Sequence, residues 1–110
     1  DLAGVARATT TEFENVPARA LAFLADHGVV SPGADAVRVA QDRIAEKRFV
    51  RDAGAQVAPH VAVLSPADID AADAALLPGI LKVARLGYDG KGQARVADRA
   101  EAQAAFAAFG

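Results

Sequence analysis

The chain has 110 residues, enough for one small domain or for part of a larger protein. Its 12 Lys and Arg against 14 Asp and Glu give a net charge of −2, which argues against a polybasic tail and nonspecific nucleic-acid binding. Cysteine is absent, which excludes disulfides, thiolate nucleophiles and zinc–thiolate sites.

The apolar fraction of 53% excludes a disordered chain, but 29 of the residues are alanine. The core must therefore depend on Leu, Ile, Val and five Phe. No apolar run approaches the roughly 20 residues that cross a bilayer. The start at Asp1 carries neither Met nor a basic segment, so we expect an internal piece of a longer, cytoplasmic protein with no leader and no membrane contact.

The first predicted element is a strand over residues 4–14, because β-branched threonines lead into an alternating Glu12-Phe13-Glu14. Both carboxylates then lie on one side of the strand. Glu12 and Glu14 fit either a general acid/base pair or, more simply, a helix-terminal charge and a solvated side chain.

A helix should follow, capped by Asn15 with Pro17 in its first turn and ended by Gly28. Next come a short strand at residues 29–30 and a longer, charged helix over residues 35–53, broken near residue 41 and stopped by Gly54. The charges on this helix, including Arg43 and Lys47, are typical of a solvated face.

The second half contains one helix with a Ser65 cap, Pro66 in its first turn and Asp68 three residues after the cap. The full expected order is a strand at 61–64, a helix from Ser65 to Leu76, strands at 80–84 and 94–96, and a last helix capped by Asp98 with Glu101. This alternation predicts an α/β or α+β fold.

The most informative stretch joins the last two strands. Three glycines in six residues, Gly87, Gly90 and Gly92, allow close approach of a ligand and an anion-binding nest of N–H groups. All five basic residues of the second half lie between Lys82 and Arg99. Since a strand rather than a helix follows, this is not a Walker A loop. It is either a flap over phosphates or an ordinary hairpin turn.

Lys82 has two interpretations, and the two histidines are assigned no role. Lys82 is either a solvent-facing position of an alternating strand or a cation held on a rigid element for a phosphate. His27 is explained by its place at a helix end, and His60 has no partner of a suitable type nearby, so neither is assigned a role.

Three ordered blocks carry a family resemblance: Thr10–Val16, Ala40–Arg43 with Glu46–Phe49, and Gly87–Gln93. Over nearly the whole chain the sequence resembles the 5-(carboxyamino)imidazole ribonucleotide synthases, a branch of the ATP-grasp superfamily. The resemblance implies that ATP and bicarbonate form carboxyphosphate, which carboxylates 5-aminoimidazole ribonucleotide in de novo purine biosynthesis. It also implies Mg²⁺ and a homodimeric parent. Another ATP-grasp carboxylase or transformylase, or a noncatalytic nucleotide-binding module, stays open.

The resemblance also implies roles for residues. Arg43 and Lys82 match ATP-contacting cations, and Glu12 matches a carboxylate on the ribonucleotide. The flap over the ATP phosphates matches Gly87, Tyr88, Asp89, Gly90, Lys91, Gly92 and Gln93, of which Tyr88 and Asp89 also face the ribonucleotide. Magnesium ligands and catalytic residues are expected beyond this chain.

The implied domain division has three parts. Residues 1–40 would end a Rossmann-like domain, residues 41–54 would form a linking helix, and residues 55–110 would begin the ATP-grasp domain with its small α+β subdomain. The chain departs from the family at Leu86, where a second glycine is usual, and at Ala84, where Arg is common. By itself the 110-residue piece should be inactive.

Overall fold

A computed structural model describes residues 2–87 and 90–110 of the chain. It has two compact units, Asp1–Phe49 and Val50–Gly110. The predicted mixed α/β class is confirmed, and the elements in chain order are α1 Leu2–Val5, β1 Ala8–Thr9, α2 Ala18–Ala25, β2 Val29–Val30, α3 Ala34–Ala40, α4 Arg43–Asp52, α5 Pro66–Ala71, a 3₁₀ turn Ala74–Leu76, β3 Gly79–Lys82, β4 Gln93–Val96 and α6 Arg99–Phe109. No helix in the described ranges is long and apolar enough to cross a membrane.

The first unit contains a strand–helix–strand arrangement. Strands β1 and β2 are parallel, with Ala8 opposite Val29 and Thr9 opposite Val30, and α2 connects them. Helix α2 packs on α3, and their buried residues are Leu21 and Val37. This order of elements is typical of an α/β layer, in which a parallel pair needs a crossover connection.

Two expectations for this unit were wrong. The strand predicted over residues 4–14 is confined to Ala8–Thr9, with a helical turn before it and a loop of bends and turns after it. Glu12 and Glu14 therefore do not alternate along a strand. The reason is that β2 has only two residues and offers no ladder partner beyond Thr9. Asn15 is not the cap of α2; Pro17 holds that position, and its carbonyl accepts from the Ala20 N–H at 2.8 Å.

The predicted break near residue 41 is confirmed, and Asp42 explains it. Gln41 ends α3, and the Asp42 carboxylate accepts hydrogen bonds from the N–H groups of Ile44 and Ala45 at 2.9 and 3.1 Å. An aspartate that captures these donors begins a new helix, α4. Gly54 ends it as expected, with φ +88° and its N–H bonded to the Arg51 carbonyl.

The second unit is an antiparallel hairpin covered by helices. Strands β3 and β4 pair Gly79 with Val96 through Lys82 with Gln93, and α6 packs against α5 and against both strands. Ile69, Val96 and Ala102 form the buried core. The predicted caps are confirmed: Asp98 accepts from the Glu101 N–H at 2.9 Å, and Asp68 accepts from the Ser65 N–H at 2.7 Å.

Three boundaries in this unit differ from the expectation. Residues 61–64 form no strand, because the Leu64 N–H donates to the Asp68 carboxylate at 2.9 Å rather than to a neighbouring strand. The helix from Ser65 to Leu76 is two pieces, since Ala72 turns to ψ 143° and Asp73 starts a separate turn by accepting from the Ala75 N–H. Strand β3 ends at Lys82 instead of Ala84.

Candidate functional site

The hairpin has an inner and an outer face. Leu81, Ala94 and Val96 lie on the face toward the core, whereas Lys82, Gln93 and their neighbours Ile80 and Arg95 are exposed on the other. Lys82 and Gln93 are directly paired, and opposite residues of an antiparallel pair share a face. Lys82 thus lies on a solvent-facing position, as simple alternation predicts, and its cationic side chain is accessible to a ligand.

The glycines beyond Lys82 are required by close packing as well as by backbone conformation. The Val83 N–H donates to the Gly92 carbonyl at 2.8 Å, which brings the two sides of the loop together. A Cβ on Gly92 would collide with the Val83 side chain, and one on Gly87 would lie 3.0 Å from Val83 Cγ2. Gly90 and Gly92 have φ of +76° and +67°. This segment, residues 86–92, is called the glycine loop below.

Leu86, the departure from the family pattern, has φ +61°, in the left-handed region that favours glycine. Its side chain is 73% exposed, so packing does not require leucine here. Lys91 is part of the glycine loop. Tyr88 and Asp89, predicted to face both ligands, lie outside the described residues.

Glu12 is exposed in a loop, residues 10–17, that begins directly after the carboxyl end of β1. In α/β folds, ligands bind beyond the carboxyl ends of parallel strands. The position of Glu12 therefore fits a ligand-binding residue, although the strand geometry first expected for it is absent.

The loop of residues 10–17 is held by a contact that the sequence did not predict. The Gln41 side-chain amide donates from Nε2 to the carbonyl oxygens of Glu14 and Val16, both at 2.7 Å. Neither acceptor is a side chain, and both lie 25 or more residues before Gln41 along the chain. No local pattern could have revealed the contact.

Arg43 is exposed at the first residue of α4, in the first unit. A cation at a helix N-terminus opposes the helix dipole and costs about 0.3–1 kcal/mol. Helix stability therefore does not explain arginine at this position, whereas binding of an anion would.

The described residues include no group of three His, Asp or Glu that could hold a metal ion. The pKa of the Asp68 carboxyl is lowered by hydrogen bonds from the Leu64 N–H, the Ser65 hydroxyl and the Ser65 N–H. Because these contacts cap α5, the shift reflects local structure and not a reactive group.

A family model for the ATP-grasp domain matches residues 48–110, more than half of the chain. The chain belongs to the ATP-grasp family. The matching range starts within α4 and contains the hairpin with its glycine loop.

The resemblance to 5-(carboxyamino)imidazole ribonucleotide synthases is also confirmed. The N5-carboxyaminoimidazole ribonucleotide synthase of Pseudomonas aeruginosa is 47% identical over 102 residues, which is 92% of this chain and 28% of that enzyme. The chain spans less than a third of the length of the curated relatives it matches.

Solved structures of enzymes with nearly the same name also resemble this chain. The Staphylococcus aureus synthetase complexed with ADP matches 98% of this chain and 29% of its own, with a TM-score of 0.86 and 33% identity. The Aspergillus clavatus enzyme in complex with ADP and 5-aminoimidazole ribonucleotide matches 94% of this chain and 28% of its own, with a TM-score of 0.79 and 27% identity.

Proposed function

We propose that the protein containing this chain is an ATP-dependent ligase that carboxylates 5-aminoimidazole ribonucleotide. The observation that carries the proposal is the 47% identity to a synthase of that activity over 92% of the chain. The similarity includes both the loop with Glu12 and the hairpin with the glycine loop.

The reaction has two steps. Bicarbonate attacks the γ-phosphorus of ATP, which gives carboxyphosphate and ADP; the exocyclic amine of the ribonucleotide then takes the carboxyl group and phosphate leaves. Catalysis of phosphoryl transfer is mostly positioning and stabilisation of charge. The chain therefore has to bind anions and orient an amine.

ATP binding is assigned to the outer face of the hairpin and to the glycine loop, and Arg43 is carried over as an ATP contact from the resemblance alone. Support comes from the exposed Lys82, from the positive φ of Gly90 and Gly92, and from the close packing that only glycine allows at Gly92. Lys82 would bind a phosphate oxygen, and loop N–H groups would donate to others. The donors Lys91 and Gln93 fit the same chemistry.

Binding of the ribonucleotide is assigned to Glu12, with Tyr88 and Asp89 as further contacts carried over from the resemblance. A carboxylate accepts hydrogen bonds, so Glu12 would hold the amine or a ribose hydroxyl of the substrate. Support comes from the exposed position of Glu12 after the carboxyl end of β1.

Mg²⁺ would neutralise charge on the ATP phosphates. None of the described residues is assigned to it, since they form no group of three suitable ligands. We further propose a cytoplasmic homodimer, and we expect the 110 residues alone to be inactive, because related enzymes are more than three times as long.

The experiment is steady-state kinetics on the full-length protein with Mg-ATP. ADP release should require bicarbonate and should be stimulated by 5-aminoimidazole ribonucleotide, with the carboxylated ribonucleotide as product. Bicarbonate-dependent ADP release without stimulation by this ribonucleotide would point to another ATP-grasp carboxylase. Nucleotide binding without any turnover would point to a noncatalytic module.

A further inference from the structure

The side-chain amide of Gln41 holds a stretch of backbone that is distant in sequence. Its two N–H bonds match two acceptors, the carbonyl oxygens of Glu14 and Val16, each 2.7 Å from Nε2. These distances are at the short end for N–H···O bonds. The pair of contacts is called the Gln41 clamp.

The clamp is anchored on the helix that carries it. The Gln41 backbone N–H donates to the Val37 carbonyl at 3.0 Å, and Val37 is a buried residue of α3, which packs on α2. The carbonyls that the clamp holds lie two and four residues after Glu12. The loop runs from the end of β1 to the start of α2, and the clamp adds two hydrogen bonds to its second half.

We propose that Gln41 is a positioning residue for the ribonucleotide, because it holds the loop of residues 10–17 in the shape that presents Glu12. The inference rests on the proposed function, in which Glu12 binds the ribonucleotide. Without the clamp, the loop would populate other shapes, and binding would be reduced by the fraction of molecules in the competent one.

The chain offers a matched control in Gln103. Its Nε2 donates to the Pro66 carbonyl at 2.9 Å and to an Asp70 carboxylate oxygen at 3.0 Å, so it joins α6 to α5 within the second unit. Replacing either glutamine by leucine removes two hydrogen bonds at nearly constant side-chain size. Gln41 contacts the loop that carries Glu12, whereas both amide hydrogen bonds of Gln103 lie within the second unit.

The test is steady-state kinetics of the full-length protein with Gln41→Leu, Gln41→Asn and Gln103→Leu. Gln41→Leu should raise KM for the ribonucleotide about tenfold, since two hydrogen bonds that hold the loop are lost. KM for ATP should stay within about twofold, because no ATP contact is removed. Gln41→Asn keeps an amide on a shorter side chain, so it should raise KM for the ribonucleotide less than Gln41→Leu does. If the leucine variant fails to fold, the asparagine variant provides the test.

A double variant separates positioning from general stability. In a Glu12→Gln background, Gln41→Leu should change KM for the ribonucleotide less than about twofold, because the carboxylate through which Gln41 acts is already gone. A purely structural loss would give the same change in both backgrounds.

The outcomes are distinct. Absence of turnover in the unmodified protein would overturn the proposed function and this inference with it. Turnover with an unchanged KM for the ribonucleotide in the folded Gln41 variants, or an equal rise in Gln103→Leu, would overturn the inference alone.

Discussion

The loop of residues 10–17 and the glycine loop both present candidate ligand-binding residues, but they are fixed in different ways. The first depends on a side chain 25 or more residues away, since Gln41 holds the carbonyls of Glu14 and Val16. The second depends on its own backbone, through the Val83–Gly92 hydrogen bond and glycines with positive φ.

The two loops should therefore respond differently to mutation. A loop held by a distant amide can lose its shape without any change in its own sequence. A loop whose shape depends on local backbone conformation is sensitive to substitution at its residues with positive φ.

The largest effect on stability is expected for Gly92→Ala. The added Cβ would collide with the Val83 side chain, and alanine is strained at φ +67°. Together these effects should cost about 1–3 kcal/mol and raise KM for ATP. The measurements are thermal unfolding and steady-state kinetics of the full-length protein.

The control for that variant is Gly4→Ala, because a Cβ on Gly4 would meet no heavy atom within 4 Å apart from its chain neighbours and the backbone of its own helix. It should leave KM for ATP unchanged. Gly92→Ala with unaltered unfolding and unaltered KM for ATP would show that local backbone conformation does not hold the glycine loop.

An intermediate effect is expected for Asp68→Asn, which tests a cap far from both loops in sequence. Hydrogen bonds lower the pKa of Asp68 in the folded state below its ordinary 3.8, so its ionised form stabilises the fold above that value. This stability is lost as pH falls through the folded pKa. The variant should melt below the unmodified protein at pH 7, and the difference should shrink below about pH 3.8. A difference of equal size at both pH values would contradict the assignment.

The smallest effect is expected for Leu86→Gly. Leucine at φ +61° carries left-handed strain of about 1–2 kcal/mol, which glycine removes, partly offset by the greater freedom of glycine in the unfolded chain. Thermal unfolding should occur at a slightly higher temperature. Leu64→Gly is the matched control, with 78% exposure against 73% and no positive φ, and it should unfold at a lower temperature. A lower midpoint for both variants would argue against strain at Leu86.

Features encoded by neighbouring residues could be predicted from the sequence. The caps at Ser65 and Asp98, the stop at Gly54 and the hairpin around the glycine loop each depend on residues within a few positions of one another. Their chemistry is local, so a short window of sequence contains the whole signal.

Features that depend on distant partners could not be predicted. Residues 61–64 have the composition of a strand. Within the described part of the chain, however, no strand pairs with them. Threonines after Thr9 likewise have no ladder partner, and the Gln41 clamp has acceptors that any residue type could supply. Strand formation and backbone capture need a partner that composition does not specify.

The assignment of ATP to the hairpin and of the ribonucleotide to Glu12 is tested by the Michaelis constants of Glu12→Gln and Lys82→Ala in the full-length protein. Lys82→Ala should weaken ATP binding by about 1.5–3 kcal/mol, since it removes a charged hydrogen bond, and leave KM for the ribonucleotide unchanged. Glu12→Gln should raise KM for the ribonucleotide and spare ATP. If both variants raised KM for the same ligand, the assignment of ATP to Lys82 and of the ribonucleotide to Glu12 would be wrong.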